Sequence, residues 1–184
     1  SPQSQSEEPV RALALQIGSE VSLGELAGLV GMDVKTVDRY IDLLAKCYIV
    51  HPLGAFSRNL RNEIKKGFKV YFYDLGIRNA VIGNFSPIAS RSDAGHMWEN
   101  YLIMERVKLN ANSPFPPRQF FWRTMAPKSN EIDYLEEADG KLKAWEIKSD
   151  ENSTARIPRT FRNAYPDAET GIITPRNYYS FLLE

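Results

Sequence analysis

Residues 130–149 constrain the fold more tightly than any other stretch. Two strand-like runs, 130–136 and 142–149, flank Ala138, Asp139, Gly140 and Lys141, and an Asp-Gly pair is a strong signal for a two-residue hairpin turn. Once the turn is set, side-chain alternation assigns each residue to a face. With Asp139 and Gly140 as the loop, Ala138 pairs with Lys141, and counting outward places Asp133 opposite Glu146. Directly opposed residues share a face, with Cβ atoms about 5 Å apart. A loop two residues longer about the same centre keeps this register. Lys148 lies two residues beyond Glu146 and joins it, and Glu131 shares the face of Asp133. The apolar neighbours Ile132, Tyr134, Trp145 and Ile147 are expected on the opposite face.

Two opposed carboxylates repel each other, and a cation between them removes the conflict. Mg²⁺ suits the position, because it is commonly held by one or two carboxylates together with water and substrate phosphate. Lys148 then stands where it can stabilise charge developing on a phosphoryl group or orient the attacking water. The same residues also fit a plainer description, a solvated strand face with a Glu146–Lys148 pair worth at most about 1 kcal/mol. The hairpin alone favours that plainer description.

Upstream, Ser22 followed by Glu25 is a capping-box pattern. Leu23, Leu26, Ala27 and Val30 repeat at helical spacing, and Gly31 suits a left-handed helix end. Asp33 is the expected N-cap of a second helix with Val34, Val37, Tyr40, Ile41 and Leu44 as its apolar stripe. Two short helices and a Gly-containing turn predict a helix-turn-helix. Strand-like runs at 48–53 and 68–73 follow, so residues 10–83 are expected to form a winged-helix-like module with its wing at 54–67. Residues 1–9 read as a disordered lead-in, 10–17 as one helix, 74–83 as a short helix and 84–90 as a linker. Cys47, at the end of the second helix, is expected in the core.

DNA reading by the second helix would use Lys35, Thr36 and Arg39, although Asp38 and Asp42 lie among them. The wing is more basic, with Arg58, Arg61, Lys65 and Lys66 against Glu63. Winged helices also join proteins to proteins, and both uses stay open. The formal net charge of zero argues against a general nucleic-acid coat, whose affinity comes from many phosphate contacts. It leaves room for a local basic groove. One cysteine and two histidines leave no internal disulfide and no zinc site. With no apolar run long enough to span a bilayer, a reducing cytoplasmic setting is expected.

Residues 91–184 are expected to form a second domain, a small α/β fold with a mixed central sheet. It opens with a helix at 92–109, broken by Ser113, Pro114, Phe115, Pro116 and Pro117. Strands are expected at 118–124, 130–136, 142–149 and 171–174, and a helix at 156–165 with Pro158 in its first turn. Arg156, Arg159 and Arg162 recur every third residue on that helix. They could meet phosphates or form an ordinary solvated face. His96, one turn before Glu99, reads as a surface or partly buried residue.

Asp133, a twelve-residue gap, then Glu146-Ile147-Lys148 resembles the D-(x)n-E-x-K core of the PD-(D/E)XK nuclease superfamily. Ile132 stands where that superfamily often has Pro. The wider order is Lys69-Val70-Tyr71-Phe72-Tyr73-Asp74-Leu75-Gly76, then Gly95 to Trp98-Glu99-Asn100, then Trp122-Arg123, then the hairpin. Together these resemble the C-terminal region of a prokaryotic family of AAA-like P-loop ATPases of the DUF4143 type, over roughly residues 10–175. The resemblance implies a winged helix followed by a restriction-endonuclease-like domain. It implies Glu99, Asp133 and Glu146 as Mg²⁺ ligands, Lys148 as the electrostatic catalyst, DNA as the substrate, and an ATPase domain of the same protein as a partner, with oligomerisation open. The sequence has no G-x-x-x-x-G-K-[ST], so the ATPase part is expected to lie outside this chain. A second expectation is a non-catalytic module of that ATPase, binding nucleic acid or protein.

Overall fold

The computed structural model describes residues 2–57, 67–124 and 130–183, with the backbone alone for 2–7. The wing cations Arg58, Arg61, Lys65 and Lys66 lie outside the described residues. The chain is a mixed α+β protein with a three-stranded antiparallel sheet and a four-stranded mixed sheet. It packs as two units, Ser1–Leu53 with Lys66–Asn100, and Gly54–Lys65 with Tyr101–Glu184.

The first unit runs α1 (Pro2–Leu15), β1 (Glu20–Val21), α2 (Leu23–Val30), α3 (Val34–Lys46), β2 (Val50–Gly54, its last residue in the second unit), β3 (Phe68–Phe72) and α4 (Leu75–Ile82). The first turns of α5 (Ala94–Ala111) also belong to it. The local signals act as chemistry requires. Ser22 and Glu25 close a capping box, and Gly31 ends α2 at φ 65°. The Asp33 carboxylate accepts from the Thr36 N–H at 3.0 Å. Asp74 caps α4 by accepting from the Ile77 N–H. The stripes of α2 and α3 meet strand residues in one core that includes Leu13, Leu26, Val37, Ile41, Val50, Val70 and Phe72. The sheet order is β1-β3-β2, and β1, too short to signal itself, pairs Val21 with Phe68.

Three expectations change here. The lead-in read as disordered over 1–9 is instead, from Pro2 on, the first part of α1, which continues through Pro9; its Gln and Glu residues are good helix formers. Cys47 is exposed, because α3 ends there. Tyr48 and Ile49 turn back to donate to the carbonyls of Ala45 and Leu44, a closure that directs Cys47 outward and puts Tyr48 at φ 55°, where glycine is usual. The segment read as a wing also begins differently. Ala55 bridges to Phe121, and the Phe56 N–H donates to the Phe121 carbonyl within the second unit.

A cluster of charge closes the first unit. Arg78 donates Nε–H to the Ala14 carbonyl at 2.8 Å and pairs with Asp93. Arg91 holds Asp93 through two nitrogens at 2.8 Å and reaches the Asn84 carbonyl. Hydrogen bonding from Arg91, then from Arg78, holds the Asp93 carboxyl well below the usual carboxylate range.

The second unit contains the rest of α5, then β4 (Arg118–Arg123), β5 (Glu131–Ala138), β6 (Lys141–Ile147), α6 (Arg159–Ala164), β7 (Glu169–Ile173) and α7 (Tyr178–Leu183). Its sheet order is β4-β5-β6-β7, antiparallel except for the parallel pair β6–β7. Asp139 and Gly140, at φ 51° and 73°, form the hairpin turn, with Ala138 opposite Lys141. Two positive φ values are what a two-residue primed turn demands. One face of the sheet buries Phe56, Phe120, Trp122, Ile132, Leu135, Leu142, Ala144, Ile157 and Phe161.

The helix expected at 156–165 begins at Arg159, with Pro158 as its N-cap residue. Arg156 is therefore off the helix, and the three arginines do not share a helical face, although all three are exposed. Ile157 and Phe161 are buried in the core, and this anchoring sets where the helix starts. The apolar tail at 178–183 forms α7, whose Phe181 is buried. Among the described residues, no helix is long and apolar enough to cross a membrane.

A second ionic cluster lies within this unit. Arg106 holds Glu136 through two bonds of 2.7 and 2.8 Å and donates to the Phe181 carbonyl at 2.7 Å. Asn110 and the Tyr134 hydroxyl also donate to Glu136. Burial pushes the Glu136 carboxyl up, but these donors outweigh it and its pKa is lowered.

Two stability predictions follow from the clusters. Arg106→Met leaves the Glu136 charge buried without its main partner, and should cost about 3 to 5 kcal/mol in denaturant unfolding; adding Glu136→Leu should recover most of the loss. Asp93, whose folded pKa is depressed, contributes stability fully above its unfolded value of about 3.9 and loses it as pH falls through the folded value. The stability difference between wild type and Asp93→Asn should therefore be flat from neutral pH to about 5 and shrink below about 4. Unfolding midpoints across that range will show whether it does.

Candidate metal centre on the hairpin of β5 and β6

The centre begins with an irregularity in β5. Phe120 on β4 pairs with Leu135, whereas Trp122 pairs with Ile132. Asp133 and Tyr134 therefore stand together against Phe121 alone, the two-against-one count of a β-bulge. Bulges re-aim side chains, and this one separates neighbours that simple alternation would put together. Ile132 joins the core of Trp122 and Leu135. Tyr134 instead packs near Trp145 and edge-on to Phe181, with ring centroids at 6.0 and 5.9 Å. The expectation that Ile132 and Tyr134 share a face is thus corrected, and the extra residue in β5 is the reason.

Backbone pairing of β5 with β6 runs from Ala138 and Lys141 to Tyr134 and Trp145. One step further, the side chain of Asp133 takes over from the ladder. Its carboxylate accepts from the Ile147 N–H at 2.7 Å, so it is held against β6 at the level of Glu146 and Lys148. Lys148 Nζ lies 2.6 Å from Glu146 Oε1 and 3.7 Å from Asp133 Oδ2. The Lys148 N–H donates to the Ile173 carbonyl at 2.8 Å, which extends the parallel pairing that sets Glu146 opposite Ile172. Asp133, Glu146 and Lys148 are thereby gathered at the carboxyl ends of β6 and β7.

One polar atom in this group is unsatisfied. Glu146 Oε2 is buried and has no hydrogen-bond partner among the described residues. Burial, then the Asp133 charge, pushes the Glu146 carboxyl up, and Glu131 adds to this against the opposing effect of Lys148. A hard oxygen donor that is dehydrated, unpaired and crowded by a second carboxylate fits a divalent cation, which would satisfy the oxygen and offset the repulsion. Among the described residues, no group of three or more His, Cys, Asp and Glu side chains is gathered to hold a metal. The donors here are two carboxylates, a number that Mg²⁺ commonly takes with water and phosphate completing its shell.

Glu99, the other expected ligand, lies on the first turns of α5 and in the first unit. There it accepts from the Tyr71 hydroxyl at 2.6 Å and from buried Lys69 at 3.4 Å. Gly18 passes beside it, so that a Cβ at that position would sit 3.4 Å from Glu99 Oε1 and 3.1 Å from His96 Nδ1. His96 is exposed. Lys35, Thr36, Arg39, Asp38 and Asp42 all lie exposed on α3, a face of mixed charge. Sequence reasoning gave no weight to Ile147, whose main-chain N–H orients Asp133. An unsatisfied main-chain donor at the end of a paired strand leaves no mark in residue type.

Comparison with known proteins matches two domains of unknown function, DUF8612 over residues 3–87 and DUF4143 over residues 94–180. Neither spans half of the chain. The DUF4143-type resemblance, expected over roughly residues 10–175, is thus matched over 94–180 alone, and the part before it matches DUF8612 instead. Uncharacterized proteins of Mycobacterium tuberculosis and Mycobacterium bovis are each 28% identical to this chain over 159 residues, or 85% of its length. The chain spans 34% of the length of these relatives. No solved structure matches it.

The raised Glu146 pKa has a testable sign. An acid whose folded pKa exceeds its unfolded value opposes folding once ionised, and the opposition fades as pH falls through the folded pKa. In metal-free buffer at neutral pH, Glu146→Gln should therefore raise the thermal midpoint, and Asp133→Asn should bring the Glu146 pKa down toward the ordinary value, read by NMR titration. A Glu146→Gln protein less stable than wild type would count against the unsatisfied oxygen as a source of strain.

Proposed function

We propose that the second unit is a PD-(D/E)XK-like domain that hydrolyses DNA phosphodiester bonds with Mg²⁺, and that the first unit is a winged-helix module. The observation that carries the enzymatic reading is the buried, unpartnered Glu146 Oε2 beside the Asp133 carboxylate. The helix and strand order of the first unit, with a three-stranded sheet after two capped helices, supports the winged-helix reading. The mixed sheet with its parallel β6–β7 pair supports the nuclease-like one.

In this reading Asp133 and Glu146 would hold the ion. When bound, Mg²⁺ polarises the phosphoryl oxygen and lowers the pKa of coordinated water. The chain's own part is positional and electrostatic. The bulge and the Ile147 N–H aim Asp133, so one carboxylate is oriented before any ligand arrives. Lys148, about one-third exposed, can leave Glu146 and turn its ammonium to a phosphate oxygen as negative charge builds there. Burial of Glu146 Oε2 keeps bulk water from competing for that oxygen. An ATPase domain of the same protein would govern access to DNA, as the resemblance implies.

A second reading is a module that binds without cutting. It draws on two observations: Lys148 is already neutralised by Glu146 at 2.6 Å, and Glu99 is engaged by Tyr71 and Lys69 in the first unit.

Calorimetric titration with Mg²⁺ and Mn²⁺, followed by cleavage of linear and branched DNA, separates the readings. Hydrolysis predicts that wild type binds metal and cuts. Asp133→Asn should lose both, and Lys148→Met should keep metal binding while cutting about 10²- to 10³-fold more slowly. Metal binding without cleavage of any substrate supports the second reading, and absence of metal binding with and without DNA removes the metal centre altogether.

A further inference from the structure

Helix α7, which follows β7, opens with two adjacent tyrosines whose rings pack together at a tilt. Tyr178 and Tyr179 have centroids 4.2 Å apart and planes inclined by 31°. Tyr179 is 64% exposed and Tyr101, from the same unit, is 41% exposed. Hydrogen bonding with Tyr179, then burial and the nearby phenols of Tyr179 and Tyr101, pushes the Tyr178 hydroxyl up. Tyr178 is half-buried behind Tyr179, whose ring is the more exposed of the pair.

The patch is fixed relative to the candidate centre. Thr174 donates its N–H to Asn177 Oδ1 at 2.8 Å, and Asn177 Nδ2–H donates to the Ile172 carbonyl at 2.8 Å. Asn177 therefore locks the turn that launches Tyr178 onto the end of β7. Ile172 is the residue opposite Glu146, and the Lys148 N–H is bonded to Ile173. Arg176 ties the same turn to the loop beyond Lys148, bonding Asn152 at 2.5 Å and lying 3.7 Å from Glu151. The stacked pair and the candidate phosphodiester site thus stand at the same end of neighbouring parallel strands, the end where ligands of α/β sheets usually bind.

We propose that Tyr178 and Tyr179 form a stacking platform for an unpaired base, so that the site takes a single-stranded segment of DNA and not an intact duplex. This rests on the phosphodiesterase reading above for the strand's position at the centre. The chemistry is that of single-strand binders, in which an exposed aromatic ring covers the face of a base. Bases in a duplex have both faces covered by their neighbours and offer none to a side chain. The pair presents a ring whose partner behind it is already stacked, which holds its orientation without a ligand.

The test uses fluorescence anisotropy with a labelled phosphorothioate oligonucleotide of about 15 nucleotides, as a single strand and as a duplex, in Mg²⁺. Wild type should prefer the single strand. Tyr179→Ala should weaken single-strand binding about tenfold, leave duplex binding unchanged and leave calorimetric Mg²⁺ binding intact, while Tyr179→Phe should bind like wild type. Equal binding of both forms by wild type, single-strand binding unchanged in Tyr179→Ala, or equal loss on both forms would overturn the platform. The underlying reading fails differently. A wild type that cleaves DNA while Tyr179→Ala binds single strands normally loses the platform and keeps the site. A wild type that cleaves nothing, yet loses single-strand binding on Tyr179→Ala, keeps the platform and loses the site.

Discussion

The bond from the Ile147 N–H to the Asp133 carboxylate is the contact on which the arrangement of the second unit turns. A paired strand would offer that N–H to a neighbouring carbonyl. Here the bulge in β5 shifts the carbonyl out of register, and a side chain supplies the acceptor. The donor is satisfied, as a buried main-chain group must be, and a carboxylate is fixed next to another in the process. One extra residue in β5 therefore does two things. It divides the apolar residues of the strand between two faces, and it sets the negative charge of Asp133 against Glu146.

The same unit shows how a buried carboxylate is normally accommodated. Glu136 receives donors from Arg106, Asn110 and Tyr134, and its pKa falls despite burial. Glu146 is half-buried beside Lys148 and the carboxylates of Asp133 and Glu131, keeps a buried oxygen without a partner, and its pKa rises. Both lie on strands of one sheet, so the difference comes from their neighbours and not from the kind of element. A fold that satisfies Glu136 completely does not lack the means to satisfy Glu146. The incomplete shell is what distinguishes a candidate ligand from a structural charge.

Much of this was legible in the residues because it depends on local chemistry. Ser22 with Glu25, Asp33 and Gly31 mark helix ends whatever the rest of the chain does, and each is found capping. Asp139 and Gly140 fixed the hairpin register from the turn outward as far as Tyr134 and Trp145. Beyond that pair, the reading failed where a distant contact decided. The bulge has no glycine or proline to announce it, and exists because β4 pairs on the other side of β5. Arg156 was placed on a helix because nothing local forbids it, whereas burial of Ile157 and Phe161 starts α6 at Arg159. Tyr48 at φ 55° and the exposed Cys47 reflect a helix closure that normally announces itself with glycine. Glu99 was assigned by motif order, which does not specify its bonds to Tyr71 and Lys69.

The charge at the candidate centre also bears on the order of events there. Glu131, Asp133 and Glu146 bring three negative charges to the end of the hairpin, and Lys148 offsets them in part at Glu146. A surface of that sign repels a polyanion, and the repulsion is strengthened where burial lowers the effective dielectric. On the proposed metal-centre reading, a divalent ion would cancel two of those charges, so metal binding and phosphate binding would favour each other. The coupling would be reciprocal: whatever an ion contributed to DNA affinity, DNA would contribute equally to affinity for the ion. Two carboxylates and a lysine would then make a weak site for an ion alone and a better one with a phosphate present. Lys148 would favour the same order, because a phosphate oxygen could take the place of Glu146 as its partner.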